Sequence, residues 1–138
     1  MQAPIPSAAW GSSRKRDTEV AGQSRGDRGV EVKRGDVVTV VLPGAYGKPR
    51  PALVIQSDLF DEHPSVTILP VTSDLRDTPL FRITVESTSE NGLFKTSQVM
   101  VDKSQSVPRN KIGKTLGRLD DAALLSVNRA LALFLGFA

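Results

Sequence analysis

Two prolines flank Arg50 at the start of an apolar run, and this arrangement constrains the fold more than any other part of the chain. The run covers residues 48–55, and Leu53, Val54 and Ile55 at its end are typical of a β-strand. Each proline restricts its own φ to about −65° and favours extended backbone in the residue before it. We therefore expect Arg50 to be held at the start of a strand, where its planar guanidinium is suited to binding a phosphate. The alternative is an arginine in a surface salt bridge.

Four further segments have the composition of β-strands. Their side chains are largely β-branched, or alternate between apolar and polar as in the half-buried strands of an antiparallel sheet. The four segments are residues 37–42, 66–73, 80–85 and 98–101. A further segment at 116–119 is short and is interrupted by a glycine. We predict a mainly β domain of antiparallel strands.

The C-terminal part of the chain has the pattern of an α-helix. Asp120 is a good N-cap for a run that begins at Asp121, and Gly136 is suited to end it. Apolar side chains recur in this run at spacings of three and four, which places them on one face of the helix. They are Leu124, Val127, Leu131, and Phe134 or Leu135. We expect this face to pack against the sheet.

The first 31 residues differ in composition from the rest. They contain few large apolar side chains, are rich in Gly, Ser, Arg and Asp, and show no period of 2 or 3.6. Such a segment cannot bury enough apolar surface to offset the entropy lost on ordering. We predict a disordered tail over residues 1–31 and one folded domain over residues 32–138.

Composition excludes several classes of function. The chain has no cysteine, so disulfides and thiolate metal sites are absent. His63 is the one histidine, which excludes a ribonuclease with paired histidines in one chain, and its polar surroundings indicate a surface loop. The net charge of +3 is compatible with a polyanionic partner. No apolar run approaches the roughly 20 residues that span a bilayer, and no secretory signal is seen, so we expect a cytoplasmic protein without a membrane partner.

Short motifs occur along the predicted domain in the order of one known family. They are Gly35-Asp36, Arg50-Pro51-Ala52, Pro70-Val71-Thr72-Ser73, Asn91-Gly92-Leu93, residues 97–103 and residues 112–119. In this order they resemble the MazF/PemK/Kid family of toxins from type II toxin-antitoxin systems. The resemblance implies a small SH3-like barrel of antiparallel strands with a C-terminal packing helix.

The resemblance also implies a metal-independent endoribonuclease without a cofactor. Such an enzyme cuts single-stranded RNA through attack of the 2′-hydroxyl, which leaves a 2′,3′-cyclic phosphate and a 5′-hydroxyl. Arg50 would stabilise the charge of the phosphorane, and Thr72 would donate to a phosphate oxygen or orient the 2′-hydroxyl. Asp102 matches a catalytic or RNA-binding aspartate of some relatives. It is equally suited to ordering the end of a strand through Lys103 or a backbone amide.

The predicted RNA contacts lie around these catalytic candidates. They are Tyr46, Lys48, Ser73, Lys95 and Lys103. Tyr46 could stack on a base, or it could cover the mouth of the barrel. Alternation along the strand allows only one of the Thr72 and Ser73 hydroxyls to face the groove. The resemblance implies that it is Thr72, and Ser73 before Asp74 then resembles a turn cap. The loop before Arg50 lacks the acid or base that relatives carry there, and Met100 occupies a position where some relatives have arginine.

The implied partners are single-stranded RNA, a cognate antitoxin protein and a second copy of the chain in a homodimer. Two other functions remain open from the sequence. One is a non-enzymatic gyrase poison resembling CcdB, which would act through its C-terminal segment, here residues 135–138. The other is a catalytically inactive homologue that only binds RNA or an antitoxin.

Overall fold

The computed structural model describes residues 31–138, which form seven β-strands and one long α-helix. The predicted tail therefore lies outside the described residues, except for Glu31. Short 3₁₀ turns lie at Asp58–Phe60, Val101–Lys103 and Arg109–Lys111. The strands and the helix are β1 (Asp36–Val41), β2 (Pro49–Val54), β3 (Ser65–Thr72), β4 (Arg82–Val85), β5 (Ser97–Met100), β6 (Gln105–Pro108), β7 (Ile112–Arg118) and α1 (Asp121–Leu135).

All strand pairs are antiparallel, in the order β4-β5-β3-β2-β1-β7, with β6 paired to β3. The predicted class, an antiparallel sheet with a C-terminal helix, is confirmed. The sheet is not a closed barrel, because β4 and β7 at its ends do not pair with each other. One edge of β3 is shared, since residues 65–68 pair with β6 whereas Val71 and Thr72 pair with β5. The strands β4 and β5 therefore have no strand pairing with β7.

The central strands are buried on both faces. Val37, Leu53 and Leu69 belong to one apolar cluster, which includes residues of α1. Their neighbours in sequence, such as Val38 and Ile68, belong to a second cluster on the other side of the sheet. Since successive side chains of a strand point to opposite faces, burial on both sides requires nearly continuous apolar sequence. This explains the valine-rich composition of β1.

The helix begins and ends where the sequence predicts. Asp120 Oδ1 accepts a hydrogen bond from the Ala123 amide at 2.7 Å, and Gly136 ends the helix with a left-handed φ of 87°. The predicted apolar face is only partly confirmed. Leu131 packs against the core, but Phe134 and Leu135 are about half exposed. The last turn of α1 therefore extends beyond the surface that the sheet covers.

Two strands differ from the sequence prediction. β6 was not predicted, because Val107 is its one buried side chain and no apolar pattern marks it. β7 begins at Ile112 and not at residue 116. Gly113 and Gly117 lower the β-strand propensity of this segment. Both glycines allow another part of the same chain to approach closely, because a Cβ at Gly113 would meet Thr39 Oγ1 and one at Gly117 would meet the Glu90 carbonyl.

The loop between β4 and β5 is ordered by a buried asparagine. Asn91 Oδ1 accepts hydrogen bonds from the amides of Thr88 and Leu93, each at 3.0 Å, and Asn91 Nδ2 donates to the Glu86 carbonyl at 2.9 Å. Gly92 follows with a φ of 71°. The Glu90 carbonyl also accepts from the amide of Arg118 in β7 at 2.7 Å. These bonds join the loop to the far end of the sheet.

We expect Asn91→Ala to lower the free energy of unfolding by about 2 kcal/mol, because it removes three partly buried hydrogen bonds, from two amides and to one carbonyl. Urea denaturation would measure the change. Asn110→Ala is the matched control, since Asn110 is exposed and should change stability by less than about 0.5 kcal/mol. Equal, small effects in both variants would contradict the ordering role of Asn91.

Candidate functional site

A groove of about 660 Å³ brings together residues from β1, β2, β3, β5 and β7 and from the loops after β3 and β4. Four of the predicted site residues line it: Arg50, Thr72, Ser73 and Lys95. The lining contains no aspartate, glutamate or histidine from residues 31–138. The groove is therefore cationic and offers donors to an anion.

Arg50 is the second residue of β2 and lies opposite Val40 of β1. Pairing on both sides of β2 fixes its backbone, since the next residues pair with β1 and, from Ala52, with β3. The side chain is exposed and has no hydrogen-bond or ion-pair partner among residues 31–138. The alternative of a surface salt bridge is therefore not realised in this structure. All five N–H donors of the guanidinium are available to a ligand.

Thr72 is the last residue of β3, and its hydroxyl lies at the start of a turn. Thr72 Oγ1 accepts a hydrogen bond from the Asp74 amide at 3.0 Å, which leaves its own O–H free to donate. Ser73 also lines the groove. The prediction that Ser73 caps the turn is wrong, because Thr72 makes that bond. Strand alternation does not extend to Ser73, since β3 ends at Thr72.

A buried glutamine holds the turn that follows Thr72. Gln98 of β5 accepts a hydrogen bond from the Arg76 amide at 3.0 Å and donates to the Arg76 carbonyl at 2.9 Å. Arg82 Nη1 donates to the Asp74 carbonyl at 2.8 Å and to Gln98 Oε1 at 3.2 Å. Sequence reasoning missed this role of Gln98. Gln98 lies opposite Thr72, and this position is known only from the register in which β3 and β5 pair.

Sequence reasoning also missed Phe94 and Lys114, which line the groove. Phe94 is 99% exposed. The sequence did contain a signal for Phe94. It is a single aromatic residue between an Asn-Gly turn and a lysine, in a segment with few other large apolar side chains. Lys114 gave no such signal, because its place in the groove depends on the pairing of β1 with β7.

The loop between β1 and β2 lies beside the groove. Residues 44–48 of this loop and the first two residues of β2 line a shallow depression of about 580 Å³, which shares Pro49 and Arg50 with the groove. Lys48 and Tyr46 belong to this depression. The side chain of Tyr46 is fully exposed on a backbone with a φ of 55°. Tyr46 therefore covers no part of the sheet, which leaves stacking as the remaining prediction for it.

Asp102 and Lys103 are not among the residues that line the groove. They belong to the 3₁₀ turn Val101–Lys103, which contacts α1, β3 and β4. Asp102 Oδ2 lies 3.9 Å from Lys103 Nζ, and Asp102 Oδ1 is buried without a hydrogen-bond partner among residues 31–138. The structure thus brings Arg50 and Thr72 to one groove but does not place Asp102 in its lining. A catalytic role for Asp102 stays a prediction.

His63 lies in a turn on the surface, as predicted, and accepts a hydrogen bond from the Ser65 amide at 3.0 Å. It is not part of the groove lining. Within the described part of the chain, no three His, Asp or Glu side chains cluster as metal ligands would. Nor does any helix there have the length and apolar character needed to cross a bilayer.

Comparison with known proteins identifies the family. The family model of PemK-like, MazF-like toxins of type II toxin-antitoxin systems matches residues 33–135. The chain belongs to this family. The resemblance predicted from the motifs is therefore confirmed, and the match extends over almost all of the described residues.

Individual relatives of this toxin agree with the family match. It is 45% identical over 108 residues to a probable MazF endoribonuclease of Mycolicibacterium smegmatis, which covers 78% of this chain and 99% of the relative. A mycobacterial endoribonuclease solved with its cognate antitoxin superposes with a TM-score of 0.66 at 24% identity, over 78% of this chain and 97% of that one. MazF of Deinococcus radiodurans, solved with MazE, superposes with a TM-score of 0.64 at 23% identity, over 78% and 97% of the two chains. These superpositions confirm the fold.

Proposed function

We propose that this toxin is a metal-independent endoribonuclease that cuts single-stranded RNA in the groove lined by Arg50 and Thr72. The observation that carries the proposal is the unpartnered guanidinium of Arg50 in the same groove as the free O–H of Thr72. The 45% identical relative, a probable MazF endoribonuclease, supports the same activity.

The proposed reaction needs only the groups of the RNA and of the protein. The RNA 2′-oxygen forms a bond to the adjacent phosphorus while the bond from phosphorus to the 5′-oxygen breaks, and the products are a 2′,3′-cyclic phosphate and a 5′-hydroxyl. Arg50 donates to the equatorial oxygens, whose negative charge grows in the transition state. Thr72 donates to a non-bridging oxygen. A proton moves from the 2′-hydroxyl to a base, and another is supplied to the departing 5′-oxygen.

The base is the one role that the groove lining does not fill, since it contains no carboxylate or imidazole. We propose Asp102 for this role, because it matches a catalytic aspartate of some relatives and lies two residues after Met100, which lines the groove. Asp102→Asn separates its two predicted roles. If Asp102 is the base, Asp102→Asn should lower the rate constant of cleavage by about 10²- to 10⁴-fold and leave the melting temperature unchanged. If Asp102 instead orders the end of the strand, Asp102→Asn should lower the melting temperature and retain cleavage.

Positive charge around the groove supports an RNA substrate. Arg50, Lys95 and Lys114 line it, and Lys48 lies in the adjoining depression. Phosphate contacts of this kind release counterions, so binding should weaken steeply as salt rises. Among the predicted RNA contacts, Lys103 is the one that lies on neither surface.

Incubation of the purified protein with a long RNA in EDTA tests the proposal. We expect cleavage to products with 2′,3′-cyclic phosphate and 5′-hydroxyl ends, and cleavage slower by about 10²- to 10³-fold with an Arg50→Ala protein purified in parallel. Gyrase-dependent DNA breaks without RNA cleavage would instead support the CcdB-like poison, which the family match does not favour. RNA binding without cleavage would support the inactive homologue.

The remaining predicted features extend this proposal to partners and location. We propose a cognate antitoxin as protein partner, as in the solved relatives that contain one. We also propose a homodimer in the cytoplasm. The half-exposed apolar side chains at the end of α1, among them Phe134 and Leu135, support pairing of two copies, because burying them would remove apolar surface from water.

A further inference from the structure

Phe94 has an exposure that packing within the chain does not explain. Its side chain is 99% exposed, although the free energy of burying a phenylalanine is typically about 1.5 to 3 kcal/mol. It lines the same groove as Arg50 and lies next to Lys95. Its neighbour Leu93, in contrast, packs against the core. Both side chains line the groove, but only Leu93 also packs against the core, whereas Phe94 is left almost fully exposed.

The backbone that carries Phe94 is held on both sides. On its N-terminal side, Asn91 is buried and bonded to three backbone groups, and Gly92 lies so close to β7 that a Cβ would meet the Leu116 carbonyl. On its C-terminal side, Ser97 Oγ donates to the Lys95 carbonyl at 2.9 Å just where β5 begins. Because the backbone is already ordered, binding of a ligand to Phe94 costs no further ordering of this loop, which favours contact with that ligand.

The charge of the groove identifies the chemistry of the ligand. Arg50, Lys95 and Lys114 line the same groove as Phe94, and the lining has no carboxylate. A ligand that satisfies both the cations and an exposed aromatic ring combines phosphates with flat apolar groups. A single nucleic-acid strand has this combination, because its bases are free to stack on aromatic side chains while its phosphates bind lysine and arginine.

We propose that Phe94 is a stacking platform for one base of the RNA strand bound in this groove. The proposal rests on the proposed function and adds a residue that positions the substrate by its base, whereas Arg50 and Thr72 act on the phosphate. Every base has a face that can stack, so Phe94 contributes affinity and register and only a modest preference for sequence.

A tryptophan at position 94 would report stacking directly. Trp10 is the one tryptophan of the chain, so Phe94→Trp in a Trp10→Phe background carries a single fluorophore. The probe is an oligonucleotide of the cleaved sequence, with 2′-O-methyl groups that prevent cleavage. We expect its binding to quench the fluorescence, and an abasic nucleotide at one position of the oligonucleotide to abolish the quenching. Leu80→Trp in the same background is the control, because Leu80 is exposed outside the groove and should not be quenched.

Kinetics provide the second test. Phe94→Ala should raise KM by about 5- to 150-fold, the usual effect of removing one base-stacking aromatic side chain. The value of kcat should stay within about threefold, because Phe94 touches no reacting atom. Phe94→Tyr should keep KM near the wild-type value, whereas Phe94→Leu should not, since leucine is apolar but has no flat face. Thermal unfolding should be unchanged in all three variants, because the side chain is exposed.

The outcomes separate this proposal from the proposed function. Binding of the oligonucleotide without quenching, or full activity of Phe94→Leu, would overturn stacking while cleavage stands. Quenching by an antitoxin peptide but not by the oligonucleotide would also overturn it and assign Phe94 to the protein partner. If the wild-type protein cuts no RNA, the proposed activity fails, and quenching by a long RNA with an unchanged melting temperature would still support the platform.

Discussion

Arg50→Ala is expected to lower the single-turnover rate constant of RNA cleavage by about 10²- to 10³-fold, the typical cost of removing one preorganised donor from a transition state. The guanidinium lines the groove without a partner from residues 31–138, so its donors are available where charge develops on the phosphorane. The substitution breaks no internal bond. The free energy of unfolding should therefore change by less than about 0.5 kcal/mol.

Two further substitutions make the Arg50 experiment specific. Arg129→Ala removes an exposed arginine from α1, outside the groove, and should cut RNA at the wild-type rate. Arg50→Lys keeps the charge but loses the planar fork of donors, so it should restore little activity. Wild-type cleavage by the lysine variant would show that a point charge is sufficient. Wild-type cleavage by Arg50→Ala would remove Arg50 from the site.

Thr72→Val is expected to lower the same rate constant by about 10- to 100-fold. Valine keeps the shape and the β-branching of threonine but removes the O–H donor, and a hydrogen bond to a charged group is worth about 1.5 to 3 kcal/mol. The variant also loses the acceptor for the Asp74 amide. We therefore expect a loss of about 1 kcal/mol in the free energy of unfolding as well, and the rate must be measured well below the melting temperature.

Thr72→Ser and Ser73→Ala are the controls for this experiment. Thr72→Ser keeps both the donor and the acceptor, so it should retain most of the cleavage rate and the stability. Ser73 also lines the groove, but it accepts no hydrogen bond that orders the turn. Ser73→Ala should therefore cost less than Thr72→Val. A larger loss at Ser73 would assign the catalytic hydroxyl to Ser73.

Much of the candidate site was predictable because its signals are local in sequence. The prolines on both sides of Arg50 restrict the backbone only of Arg50 and of the prolines themselves. The capping groups of α1 likewise lie within a few residues of the ends of the helix. The order of short motifs then indicated the family, which the match over residues 33–135 confirms. The catalytic roles of Arg50 and Thr72 stay predictions, although both side chains line one groove.

The sequence by itself therefore determined the central strands, the helix and its ends, and the family, because continuous apolar runs, caps and motifs depend on residues close together in the chain. Only the tertiary structure decided that the sheet stays open and that Asp102 lies outside the groove lining. It also decided that Gln98 holds the turn after Thr72 and that Phe94 faces the groove. The physical reason is that these features depend on backbone pairing and close contacts between residues distant in the chain, which leave no periodic pattern in the sequence.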